Sequence, residues 1–148
     1  MKLLSERFPN GATSTTRQRL HNEVLARARA SKNWMQLSEE DRILDIEDSA
    51  VDMIESLFAY HYDVRERFLV NSHSNGMGGY LDNAPGYIDS YAKDIAKSTT
   101  MTFEDAKAEL IKVFENQMKL LSNAIIHNNV HEDSEGCTYN SIEYREAN

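Results

Sequence analysis

Residues 39–70 read EEDRILDIEDSAVDMIESLFAYHYDVRERFLV, with no glycine or proline to interrupt them. Ile43, Ile46, Ala50, Met53, Leu57, Tyr60, Val64 and Phe68 recur at spacings of three and four. That is the period of one face of an α-helix. Leu44, Val51, Ile54 and Phe58 widen the stripe, which places this helix at the centre of a core. Ser38 precedes Asp41 by three positions, a capping-box spacing with aspartate in the usual place of glutamate. The expectation is a helix over about 39–69, roughly 45 Å long at about 1.5 Å per residue.

On the N-terminal side, residues 1–12 contain the breakers Pro9 and Gly11, and Thr13 to Thr16 offer caps for a helix near 15–31. Its apolar stripe is narrow, consisting of Leu20, Val24, Leu25 and Ala28. On the C-terminal side, Tyr87, Ile88, Tyr91 and Ile95 predict a short helix near 86–98. Thr102 then caps a fourth helix near 103–129, with acidic residues in its first turn as the helix dipole favours. Residues 131–148 lose the pattern and read as an acidic mobile tail or a short strand.

The predicted fold is therefore all-α: one helical domain over 1–130, a bundle of about four helices, two long and two short. The second and fourth helices are expected to form the central pair. Leu44, Val51, Ile54, Leu57, Phe58, Leu110, Phe114, Leu121 and Ile125 should be buried. The wide apolar faces of the long helices also suggest a homo-oligomer.

At 148 residues the chain is long enough to bury a core without disulfides or metals. Its one cysteine, Cys137, suits a reducing compartment. Neither a secretory leader nor a run of about 18 apolar residues is present, so the expectation is a cytoplasmic protein that does not enter membranes. The net charge of −8 is unevenly spread. Residues 1–32 carry +5 and residues 33–66 carry −8. Such polarity implies either a basic-on-acidic contact within the fold or faces meant for different partners. Overall acidity argues against direct nucleic-acid or membrane binding.

Between the second and third helices lies NSHSNGMGGYLDNAPGY, residues 71–87, which holds four of the six glycines. Gly76, Gly78 and Gly79 give G-x-G-G after a helix, which is neither the dinucleotide fingerprint nor a P-loop. The loop is long for a helical bundle, where such connections take about 2–8 residues. His73, Asn75, Tyr80 and Asn83 could hydrogen-bond a ligand, and Arg65 and Arg67 just before them could contact an anion. A connector with solvated arginines is the plainer reading.

Chemistry-bearing sets are sparse. His127 and His131 would share a helix face, with Glu132 and Cys137 near, but neither H-E-x-x-H nor paired C-x-x-C accompanies them. No serine lies in G-x-S-x-G, and Cys137 has no cationic neighbour in sequence. No catalytic residue, metal or cofactor is assigned, and the expectation is a binding protein rather than an enzyme.

One constellation exceeds chance. Asp41, Asp45, Asp48, Asp52 and Glu55 follow spacings of 4, 3, 4 and 3, so they form one line on the helix opposite its apolar stripe. Like charges at these spacings cost about 0.2–0.5 kcal/mol per pair on an isolated helix, so stability alone does not explain them. Two explanations compete. Either the basic first helix, with Arg17, Arg19, Arg27 and Arg29, lies on the stripe and neutralises it, or the stripe receives a basic partner. Its charges fall one per ~4 Å of helix axis, close to the ~3.4 Å phosphate spacing of a DNA strand. The second explanation thus suggests an inhibitor or nucleic-acid mimic directed at a nucleic-acid-handling protein. The alternatives are a ligand or nucleotide site at the 71–87 loop with Arg65 and Arg67, or a structural subunit of a homo-oligomeric assembly.

Overall fold

The computed structural model describes residues 1–60, 84–136 and 138–144. Its elements are α1 (Leu4–Arg7), α2 (Ser14–Ser31), a 3-10 turn (Trp34–Gln36), α3 (Glu39–Tyr60), α4 (Ala84–Ser98), α5 (Phe103–Ser122), β1 (Ile125–Glu132) and β2 (Thr138–Glu143). The fold is the helical bundle that the periodicity predicts, with a β-hairpin appended at its C-terminal end.

The starts of three helices follow the predicted capping chemistry. The Thr13 hydroxyl accepts from the Thr16 amide at 3.2 Å, Ser38 from Asp41 at 3.1 Å, and Thr102 from Asp105 at 3.1 Å. Each satisfies a first-turn N–H that has no carbonyl partner within its helix. Pro85 lies in the first turn of α4, where its missing N–H costs nothing.

The core is built by three helices rather than by a central pair. Ile43, Leu44, Ala50 and Val51 of α3 meet Ile88, Ala92 and Ile95 of α4 and Leu110, Phe114 and Leu121 of α5. α4 packs against both α3 and α5 more extensively than those two pack on each other, so it is central despite its shorter length. Leu44, Val51, Leu110, Phe114 and Leu121 are buried as expected. The burial of Ile54, Leu57 and Phe58, the predicted continuation of α3 beyond Tyr60 and most of the 71–87 loop lie outside the described residues.

The fourth predicted helix ends early. α5 stops at Ser122, and residues expected to be helical up to 129 enter β1 instead. The reason is local: Ile125, Ile126 and Val130 are β-branched and favour extended backbone. A partner strand with matching residues follows, where a tail had been one expectation. β1 and β2 pair antiparallel, with Ile126 opposite Ile142, His131 opposite Tyr139, and a bulge between His127 and His131. The helical face expected to unite the two histidines does not exist. Ile142 and Tyr144 instead carry the hairpin onto the helical core.

The N-terminal lead-in is clamped to α5. The Gln117 side chain accepts from the Ala12 amide at 3.1 Å and donates to the Ala12 carbonyl at 3.1 Å. Gly11 makes this approach possible: its φ is +86°, and a Cβ there would sit 2.8 Å from the Asn116 carbonyl and 2.9 Å from Leu120 Cβ. Gly11→Ala combines a left-handed backbone with a clash, so a loss of roughly 2–4 kcal/mol is expected in urea unfolding. A variant as stable as the wild type would show that the lead-in does not rest on α5.

Candidate functional site

The acidic stripe of α3 and the basic first helix come together. α2 carries only Leu20 and Val24 as buried apolar residues, so burial holds it weakly. Polar contacts supply the remainder, and their order shows that α2 runs antiparallel to α3. Arg17, near the start of α2, reaches Asp48 at 2.9 Å, Asp52 at 2.6 Å and Glu55. His21, one turn on, has Nδ1 3.6 Å from Asp48 and 3.8 Å from Asp45. Arg27 grips Asp41 with two bonds of 2.5 and 2.7 Å. Trp34, in the turn between the helices, donates its indole N–H to Asp45 at 3.0 Å. Arg19 and Arg29, the other two arginines weighed for this contact, are exposed.

The stripe is thus the seat of α2, which corrects its reading as an open row for a partner. The side chains of Asp41, Asp48 and Glu55 retain 8, 14 and 16% of their exposure, while Asp52 retains 63%. No row of charges at phosphate-like spacing faces solvent there. The physical reason is that Arg17, His21 and Arg27 fall within an arc of about 120° around α2, so their side chains all reach the line that the 4-3-4-3 spacing defines on α3.

Arg17 is the hub. Its side chain is 4% exposed. Burial acts against its charge, but Glu55, Asp52 and Asp48 outweigh it and hold the guanidinium above the ordinary arginine range. For Asp48 the balance is reversed: burial pushes its carboxyl up even though Arg17 pulls it down. Glu55 is shared with the hairpin. The Tyr144 hydroxyl donates to it at 2.7 Å, and Ser14 donates at 3.2 Å. Burial, then the charge of Glu55, pushes the Tyr144 phenol well above its usual value, which keeps it a donor. Gln117 completes the set, with its amide 3.4 Å from the Tyr144 hydroxyl. One network therefore ties α2, α3, α5 and the end of the hairpin.

Beside Arg17 opens a polar cleft of about 260 Å³, lined by Ser14, Arg17, Gln18, His21, Asp48, Ser49, Asp52 and Glu55. Three carboxylates face one guanidinium there, so the cleft keeps a surplus of negative charge. The arrangement suits holding a cation.

Sequence reasoning missed Tyr144, Gln117 and Glu47. Glu47 is fully buried. A signal was available: it lies four residues after Ile43, three before Ala50 and four before Val51, on the apolar face. Arg65, Arg67, His73, Gly76, Gly78, Gly79 and Tyr80, the candidate ligand loop, lie outside the described residues, as does Cys137. Among the described residues no group of three His, Cys, Asp or Glu is placed to hold a metal ion. None of the described helices is long and apolar enough to cross a membrane. No known protein family, curated protein or solved structure matches this chain.

Proposed function

We propose that the protein is a non-enzymatic binding module that receives a cationic side chain of a basic partner in the cleft between α2 and α3. The supporting observation is the charge imbalance there: Asp48, Asp52 and Glu55 surround a single guanidinium, and Asp52 remains largely open to solvent. A lysine or arginine entering beside Asp52 gains a charge-assisted hydrogen bond without displacing Arg17. This reading keeps a basic partner but replaces the row of charges by one accessible carboxylate with two shielded ones behind it. A nucleic-acid-handling protein fits as a partner because its surface is rich in such side chains.

The test is an NMR titration with an arginine-rich peptide. Amide shifts should concentrate at Ser14, Gln18, His21 and Ser49 and weaken with salt, because exposed charges are screened over about 8 Å at physiological ionic strength. Asp52→Asn should lower affinity roughly two- to fivefold while changing stability by less than about 1 kcal/mol. Shifts scattered over the surface, or equal affinity for both proteins, would remove the cleft as the binding site.

A further inference from the structure

A second polar cluster lies on the other side of α3, beneath α1, and the binding proposal does not use it. Glu47 of α3 and Glu109 of α5 are both shielded from solvent there, and each acts on the other. Glu47 Oε2 accepts the Leu4 backbone N–H at 2.9 Å, in a buried position. The next residue, Ser5, donates its hydroxyl to both oxygens of Glu109, the longer bond being 2.9 Å. Two carboxyl groups thus sit side by side under two consecutive residues of α1. The remaining oxygen, Glu47 Oε1, is buried with no hydrogen-bond donor among the described residues.

Two buried carboxylates placed together repel, and each loses the hydration its charge needs. One proton on Glu47 resolves both problems, because Oε1 then becomes a donor and Glu109 its acceptor. The α1 segment has other holds as well: Leu3 and Phe8 pack against the core, and the Lys2 amide donates to Glu40 at 2.7 Å. Leu4 is buried, Asn116 donates to the Ser5 carbonyl at 3.2 Å, and Arg7 bonds Glu40 at 3.1 Å. Beside it runs a groove of about 500 Å³ along α5.

We propose that α1 is a pH-controlled latch, closed over the Glu47–Glu109 pair while the pair shares a proton and opening as that proton is withdrawn. Burial, and after it the neighbouring Glu109, pushes Glu47 well above the ordinary glutamate range, and burial raises Glu109 as well. The basic groups around the pair act in the opposite direction but do not cancel this. Arg7 of α1, tied to Glu40, lowers Glu47, and Lys112 of α5 lowers Glu109. Glu6 of α1 and Asp105, Glu115 and Lys119 of α5 also line the groove, while Asp89 of α4 is engaged by Lys107 at 3.0 Å.

The sign follows. In the open state the carboxyls meet water and titrate in the ordinary glutamate range, whereas the closed state retains a proton to higher pH. The stabilising effect of the shared proton is complete below the open-state value. It declines as pH rises, up to about tenfold in the opening equilibrium per pH unit, and levels off above the closed-state value.

Native-state hydrogen exchange on the full chain reads this opening directly. After correction for intrinsic exchange, protection at the Leu4 amide should fall by up to about tenfold per pH unit in the wild type. Glu47→Gln, whose amide donates to Glu109 at every pH, should hold that protection flat. Equal pH dependence in both proteins, or none in the wild type, would overturn the latch. Should the variant not fold, a carbon-13 titration of the wild-type carboxyls decides instead. Glu47 still protonated well above pH 5 supports the proposal, and both groups ionised by then refutes it.

Discussion

Replacing Arg17 with alanine is expected to destabilise the protein by about 3–5 kcal/mol, the range for removing one member of a buried ion pair. The guanidinium itself contributes less than that figure, because Asp52 is well solvated and its share of the pairing is discounted. The loss comes from what stays behind: Asp48 and Glu55, both shielded, would face each other across a void with no cation between them. The pH dependence should carry the same signature. Asp48, which burial pushes up and Arg17 pulls down, rises further above its unfolded value in the variant, so the deficit is greatest at neutral pH and shrinks as pH falls. Arg17→Lys should recover only part of the loss, since an ammonium cannot fork to three carboxylates on two sides. Urea unfolding of the three proteins at neutral and mildly acidic pH checks both the size and the sign. An alanine variant within about 1 kcal/mol of wild type would mean that the network is ornamental to the fold.

The helical part of this fold was legible because its signals are local. Periodicity, caps and the first-turn acids of α5 act within a few residues of where they are read. The positions of α2, α3, α4 and α5 followed, as did burial at Leu44, Phe114 and Leu121. The end of α5 was misread because Ile125 continues the apolar seam of Phe114, Met118 and Leu121 at helical spacing. Nothing in the spacing shows that β2, thirteen or more residues later, offers Ile125 a partner at Glu143. Strand pairing is a long-range choice, and β-branched residues are the only local hint of it. The centrality of α4 was hidden for a similar reason. Its apolar residues are few, but Ile88, Ala92 and Ile95 are all buried because two helices close on it.

The acidic stripe shows the same limit at the level of the site. Its spacing was visible, and so was the basic helix that could neutralise it. The sequence does not say which arginines of α2 face α3. Arg17 and Arg27 do, on the face that also carries Leu20, Val24 and His21, while Arg19 and Arg29 form no ion pair with α3 among the described residues. Glu55 illustrates the rest. Its place at the end of the stripe could be read, but its bond to Tyr144 joins residues that only the hairpin brings near.

Placing lysine at Asp45, Asp48 and Asp52 together tests most directly whether the stripe is the seat of α2. If it is, the variant removes two of Arg17's three acceptors and the acceptor of the Trp34 indole. It also sets three new cations beside Arg17 and His21. The loss should exceed the 3–5 kcal/mol of a single broken buried pair, against a total stability of about 5–15 kcal/mol for a typical domain. Thermal unfolding followed by far-ultraviolet circular dichroism, at matched ionic strength, should show the midpoint lowered by roughly 10 °C or more, at about 2–4 °C per kcal/mol, or no folded baseline at all. A solvated stripe would give the opposite sign. Relief of repulsion between like-charged neighbours, about 0.2–0.5 kcal/mol per pair, would then raise the midpoint slightly. A triple variant melting at or above the wild-type temperature contradicts the account.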